Sequence, residues 1–257
     1  MRIATTTTVR LIDELPELAA GLDEENRVLA RRHAVASCIE LRRGQWQGSP
    51  EIQREPGHLG LLIVDGFLVR DVHLGHKVAA ELVGRGDLLR PADHDGDEAP
   101  VPFAVSWVVI APARLAIVDR RVAQLLAHWP EMIEEVVRGG VRRAQTLGLH
   151  LAVCHLRRVE SRLEVLMWHL ADRWGTVTPD GVHVPLQLTH RTLAMLVGAQ
   201  RPSVTTALKS LAGEGRISRR TDGTWTLHGE APDVEDLRGP ALARCGEPYG
   251  VEALSKT

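Results

Sequence analysis

The densest interaction chemistry in the chain lies between residues 189 and 220. Within LQLTHRTLAMLVGAQRPSVTTALKSLAGEGRISRRTDGTWTLHG, Arg201, Ser203, Thr206 and Lys209, with Thr205 beside them, fall on the outward side of a helix. The buried side of that helix would be Val204, Leu208 and Leu211. Small hydroxyls and cations spaced this way bond phosphate oxygens and base edges and fit a major groove. Thr189 and His190 open the preceding helix, and Arg219 and Arg220 lie just downstream; these four complete the candidate nucleic-acid-binding set. A protein-docking module built from the same small elements is the competing reading, and it accounts less well for outward hydroxyls and cations.

The formal net charge of −2 hides an uneven distribution. Between Gly181 and Gly229, Arg191, Arg201, Lys209, Arg216, Arg219 and Arg220 oppose only Glu214 and Asp222, whereas residues 13–25 are acidic. The positive charge sits where phosphate neutralisation needs it.

Local punctuation defines the elements that must position these groups. Thr189 is an N-cap for a short helix with Leu193, Leu196 and Val197 on its apolar face, and Gly198 breaks it. A second helix starts near Arg201-Pro202-Ser203, where the first-turn amides tolerate an early proline. Two short helices with a glycine-containing turn of about three to four residues match helix-turn-helix spacing. Residues 216–220 and 224–227 then alternate in character around Thr221-Asp222-Gly223, as in a two-stranded wing whose arginines rest on a sugar-phosphate backbone.

Upstream, residues 131–174 contain no proline and few glycines. Leu149, Ala152, Leu156, Val159, Leu163, Leu166 and Leu170 repeat at alternating spacings of three and four, a heptad seam that predicts one long dimerisation helix. Packing against the chain's own core is the competing reading of such a helix. Residues 175–181 read as a linker of turn residues.

From about residue 31 to residue 119, glycine and proline divide the chain into short apolar stretches that read as the strands of a sandwich or barrel. Asp65-Gly66 is expected to be a tight turn between two of them, residues 91–102 a polar surface loop, and residues 121–127 a short helix. Cys38, Cys154 and Cys245 are too scattered for a disulfide framework or a metal site. No apolar run is long enough to span a bilayer and no signal peptide opens the chain, so a cytoplasmic protein without a membrane partner is expected.

The order of parts, with THRTLAMLVGAQRPSVTTALKSLAGEGRI at the diagnostic place, resembles the Crp/Fnr superfamily of bacterial transcription regulators. The implied fold is α+β: an N-terminal double-stranded β-helix, jelly-roll-like, over residues 1–130, a long dimerisation helix over 131–175, and a winged helix-turn-helix over 176–229. The tail over 230–257 is polar, with proline, glycine and acidic residues, and is expected to be partly disordered. The resemblance further implies a homodimer on double-stranded DNA with an inverted-repeat operator, half-sites roughly 34 Å apart, and RNA polymerase as an additional partner. It places a guanine contact at Arg201, a phosphate contact at Ser203 and a backbone contact near Lys209. Pro202 and Thr206 stand where the best-known members carry a glutamate and an arginine, so a different operator sequence is expected.

The same resemblance directs attention to Gly86-Asp87-Leu88-Leu89-Arg90-Pro91. Pro91 replaces the glutamate that holds the ribose of a cyclic nucleotide, and Ala104 falls where the phosphate-binding arginine belongs. An unpaired buried phosphate carries a heavy penalty, so cyclic nucleotide in the usual mode is disfavoured, with Arg85 and Arg90 the remaining candidates for effector contact. The cysteine cluster of the Fnr type is absent, and haem is a minor possibility resting on His33, His58, His73, His76 and His94. No cofactor is expected. Two other classes stay open: a cupin-like metal-dependent enzyme, against which the three-residue spacing of His73 and His76 argues, and a non-catalytic dimeric adaptor. No set of catalytic residues is evident.

Overall fold

Two strands of fifteen residues, β4 (Gly60–Leu74) and β7 (Ala104–Val118), form the spine of the first domain. They are seen in a computed structural model that describes residues 4–48, 56–90 and 100–233. The loop core at 91–99 with His94, Cys245, and the tail from 234 onward lie outside the described residues. The first half of β4 pairs with the second half of β7 and with β6 (Leu88–Leu89), and β7 there also receives β2 (Val35–Leu41), which carries β1 (Ala4–Arg10) on its far side. The second half of β4 pairs with the first half of β7 and with β5 (Lys77–Gly84), and β3 (Gly44–Trp46) adds to β7. All these pairings are antiparallel.

The switch between halves occurs at Asp65-Gly66, and it corrects the expected tight turn. The strand continues through these residues, with register shifts on both sides that mark a β-bulge. Gly66 has φ +86°, and a Cβ on it would lie 2.2 Å from the carbonyl oxygen of Pro112. A turn and a bulge make the same local demand for a left-handed residue. The pleat of β4 inverts across this irregularity: Leu61 and Ile63 face inward before it and Leu68 after it.

Both faces of the roll are buried. Its interior holds Ile39, Leu41, Leu61, Ile63, Leu68, Val83, Leu89 and Leu115 around the edge-to-face pair Trp46–Trp107, centroids 6.1 Å apart. Leu62, Val64, Ala116 and Val118 point the other way, under α1 (Leu11–Glu14), α2 (Glu24–His33) and α3 (Arg120–Leu126). Asp119 caps α3 by accepting from the Val122 amide at 2.8 Å, the helix expected near 121–127.

A second correction concerns the long helix. Residues 131–175 form two helices, α4 (Pro130–His155) and α5 (Val159–Trp174), separated at Leu156 and Arg158, whose ψ values of 142° and 133° are extended. Arg162 fixes the break, donating to the Leu156 carbonyl at 2.6 Å and to the Val197 and Gly198 carbonyls at 3.2 Å each. α5 then returns along α4. The seam divides accordingly: Leu149 and Ala152 are exposed on α4, Leu156 sits in the break and Val159 is half-buried, while Leu163, Leu166 and Leu170 are at most 1% exposed within the chain's own core. Apolar spacing specifies a face to be covered; here the chain itself covers half of it.

The segment expected as a linker is a third correction. Thr176–Thr178 (β8) and Gly181–Val184 (β9) form a hairpin that joins β10 (Ile217–Arg219) and β11 (Trp225–Leu227) in a sheet of order β10-β11-β9-β8. Among the described residues no helix is long and apolar enough to cross a membrane.

Candidate nucleic-acid interface

The helix-turn-helix forms as its punctuation requires. Thr189 Oγ1 accepts from the Thr192 amide at 3.1 Å and starts α6 (His190–Leu196), whose Leu193, Ala194 and Leu196 are buried. Gly198 takes φ +60° in the turn, and α7 (Arg201–Gly213) follows with Pro202 in its first turn. Val204, Ala207, Leu208 and Leu211 anchor α7 in a core that also contains Leu163, Leu166 and Leu170 of α5 and Val69 and Leu82 of the β-roll.

This anchoring leaves Arg201, Ser203, Thr206 and Lys209 exposed on one side of α7, with Thr205 half-buried at its edge. Two of the hydroxyls are already oriented: Thr205 donates to the Arg201 carbonyl at 3.0 Å and Thr206 to the Pro202 carbonyl at 3.3 Å. His190 Nδ1 lies 2.9 Å from Thr205 Oγ1 and ties α6 to α7.

The wing closes through Asp222, which accepts from the Thr224 amide at 2.9 Å and the Thr224 hydroxyl at 2.6 Å; these bonds hold its carboxyl below the usual range. Arg219 and Arg220 are exposed beside the turn, and the Arg219 guanidinium lies 5.5 Å from the Trp225 ring centre, which restricts where it reaches. Arg216 differs: it is paired with the buried Glu164 of α5 and belongs to the scaffold.

Arg85 and Arg90 are placed apart from that surface. Arg85 pairs with Glu17 at 3.2 Å and lines a cavity of about 380 Å³ between the Gly86-Asp87 turn, α4 and α5. Arg90 is exposed just past β6, beside Gly60. Ala104, at the position matched to a phosphate-binding arginine, is the exposed first residue of β7. His73 Nε2 is bonded to Ser106 Oγ at 2.9 Å, and among the described residues no group of three or more His, Cys, Asp or Glu is placed to hold a metal.

Sequence reasoning missed the charged groups that fasten the roll to the helices. Glu81 receives Arg143 of α4 at 2.8 Å and Arg70 at 3.4 Å. Burial works against the Glu81 carboxylate, yet the hydrogen bonds and charge of Arg143, and then Arg70, hold its pKa below the usual range. Asp87, 2% exposed, accepts from Arg173 of α5 at 2.6 Å and from the Gly84 amide at 2.9 Å. The Arg143–Glu81 and Arg173–Asp87 pairings join residues 62 and 86 positions apart, and composition carries no signal for them.

A Crp-like helix-turn-helix domain model matches residues 161–231. The CRP-like cAMP-activated global transcriptional regulator of Mycobacterium tuberculosis (strain ATCC 25618 / H37Rv) is 31% identical over 170 residues, which cover 63% of this chain and 73% of that protein. The chain belongs to the Crp/Fnr family of transcription regulators. Solved relatives share the fold at low identity. A CooA mutant from Carboxydothermus hydrogenoformans superposes with a TM-score of 0.59 at 15% identity, over 92% of this chain and 96% of the other. FixK2 from Bradyrhizobium japonicum gives 0.57 at 13% identity, over 76% and 93%. As a Crp/Fnr-type regulator, the chain carries its helix-turn-helix within the residues that the family model matches, and α6 and α7 are its two helices.

Proposed function

We propose that the protein works as a homodimer that reads an inverted-repeat operator, with α7 in the major groove and the wing on the flanking backbone. The observation that carries this reading is the outward side of α7: Arg201, Ser203, Thr206 and Lys209 are exposed together while Val204, Ala207, Leu208 and Leu211 face the core. Arg201 contacts a base edge; Ser203, Lys209, Arg219 and Arg220, with Thr189, His190, Thr205 and Thr206 around them, position the duplex.

Dimerisation falls to α4. Val137, Val141, Ala144, Gly148 and Leu151 are exposed at spacings of four and three, with Val137 at 59% and Leu151 at 68%, and Leu149 and Ala152 flank them. Such an apolar stripe on a helix suits a second copy of itself. Trp46 and Trp107 lie in the interior of the roll and no arginine stands at position 104, which argues against cyclic nucleotide in the usual mode as the signal. Contact with RNA polymerase belongs to the same proposal.

The test is fluorescence anisotropy with DNA from the protein's own promoter, followed by random-site selection. Arg201→Ala should weaken specific binding by about 1–3 kcal/mol with dimerisation retained. Unchanged binding, or selection of a single unrepeated half-site, would sink the reading.

A further inference from the structure

The hydrogen bond between α6 and α7 fixes more than their spacing. The Arg201 carbonyl can only accept, so the single hydroxyl hydrogen of Thr205 is committed to it at 3.0 Å. The bond at 2.9 Å between His190 Nδ1 and Thr205 Oγ1 must then be donated by the ring. In the neutral imidazole Nδ1 therefore carries the hydrogen, and Nε2 is a bare acceptor.

A neutral ring in this tautomer cannot bond a phosphate oxygen, which offers only lone pairs. The charged groups facing the ring are Arg219 from β10 and Arg201 from α7, both cationic. Desolvation, then Arg219 and Arg201, keep the ring's pKa below its ordinary value in the free protein. A phosphate brought to the same surface reverses the local field, because its charge offsets both guanidiniums and favours the imidazolium.

We propose that His190 enters the DNA interface as an imidazolium, donating from Nε2 to a backbone phosphate while Nδ1 stays bonded to Thr205. Each half-site that closes on DNA then takes up one proton from the solvent. This rests on the DNA-binding reading above and adds to it a proton-linked contact in which the recognition helix itself sets the tautomer of the histidine.

The experiment is anisotropy of the full-length protein on its own promoter DNA from about pH 8 to about pH 6, with ionic strength held fixed because phosphate contacts respond steeply to salt. Wild-type affinity should rise on acidification, by up to about tenfold per pH unit for each half-site. His190→Arg, a permanent cation, should bind across the range with the affinity of the acidic wild type and without the slope. His190→Gln should bind as weakly as the wild type at high pH, again without the slope. Long-range proton–nitrogen NMR of the wild-type ring should show the Nδ1–H tautomer in the free protein and both nitrogens protonated in the complex. A pH slope that survives in His190→Gln, or a neutral ring in the complex, overturns the proposal while leaving operator binding intact. Loss of specific binding at every pH, or indifference to Arg201→Ala, instead removes the DNA-binding reading and this inference with it.

Discussion

His150 of α4 and His169 of α5 meet face to edge across the helical hairpin, ring centroids 5.7 Å apart and planes at 80°, and among the described residues neither nitrogen of His150 nor Nε2 of His169 has a hydrogen-bond partner. Burial, then the neighbouring His169, lowers the pKa of His150 to about 4; Arg173 adds to this and Glu81 opposes it. His169 is lowered by burial and by Arg173.

The pair makes the hairpin sensitive to acid. The unfolded His150 ring titrates near 6.5 and the folded one near 4, so between those values the unfolded chain binds the extra proton. Stability is undiminished above pH 6.5 and falls as the pH drops toward 4, by up to about 3 kcal/mol from His150. Urea midpoints at about pH 7.5 and pH 4.5 should diverge in the wild type and draw together in His150→Leu, which carries no titrating ring. An equal acid loss in both proteins would remove His150 as its source.

The Asp87–Arg173 pair links the Gly86-Asp87 turn of the roll to the end of α5. Burial pushes the Asp87 carboxyl up even with Arg173 and the Gly84 amide beside it, so the carboxylate depends on those partners. Asp87→Asn should cost about 2–4 kcal/mol, because it leaves a mostly buried guanidinium uncompensated. Adding Arg173→Met should recover part of that loss in a double-mutant cycle. Additive losses would mean that the two side chains stabilise the fold independently.

The helix-turn-helix was legible because its signals are local. Thr189 as cap, Gly198 as break, Pro202 as first-turn residue and Gly223 in the wing each impose a backbone conformation wherever they stand. What was not legible depends on partners distant in sequence. Gly66 needs a left-handed φ in a hairpin turn or a bulge alike, and only the approach of Pro112 and Ala113 on β7 decides between them. Leu163, Leu166 and Leu170 carry the spacing of a dimer seam but are covered by the winged helix, and Gly181 turns a hairpin where composition suggested a linker. The effector candidates Arg85 and Arg90 were chosen by position along the chain, which says nothing of Glu17 opposite Arg85.

The bulge supplies a sharper test of the roll. At Gly66 a Cβ would press within 2.7 Å of the Pro112 carbonyl oxygen and of the Cα and Cβ of Ala113, and the φ of +86° disfavours any L side chain. Gly66→Ala should therefore destabilise the protein by about 2–4 kcal/mol, measured by thermal or urea unfolding. Gly75→Ala, in the exposed β4–β5 turn where nothing lies within 4 Å, should cost about 1 kcal/mol. Equal losses would mean that only the left-handed conformation matters and that the contact with β7 does not.

The exposed apolar stripe of α4 and the buried part of the expected seam on α5 should respond oppositely to substitution. Val141 and Leu151 are exposed on α4, whereas Leu166 is fully buried between α5 and the winged helix. Leu166→Ala should cost about 2–5 kcal/mol of chain stability and leave the assembly state of the folded protein unchanged. On the proposed dimer contact through α4, Val141→Glu and Leu151→Glu should convert dimer to monomer in sedimentation equilibrium, with helix content retained by circular dichroism. Any fall in their melting temperature should diminish at low protein concentration, where the wild type also dissociates. A dimer that survives both glutamates would place the subunit contact elsewhere on the molecule. If Leu166→Ala dissociated a still-folded dimer, α5 would have to leave its own core to meet the partner, and the helical break at 156–158 would not be a fixed feature of the assembly.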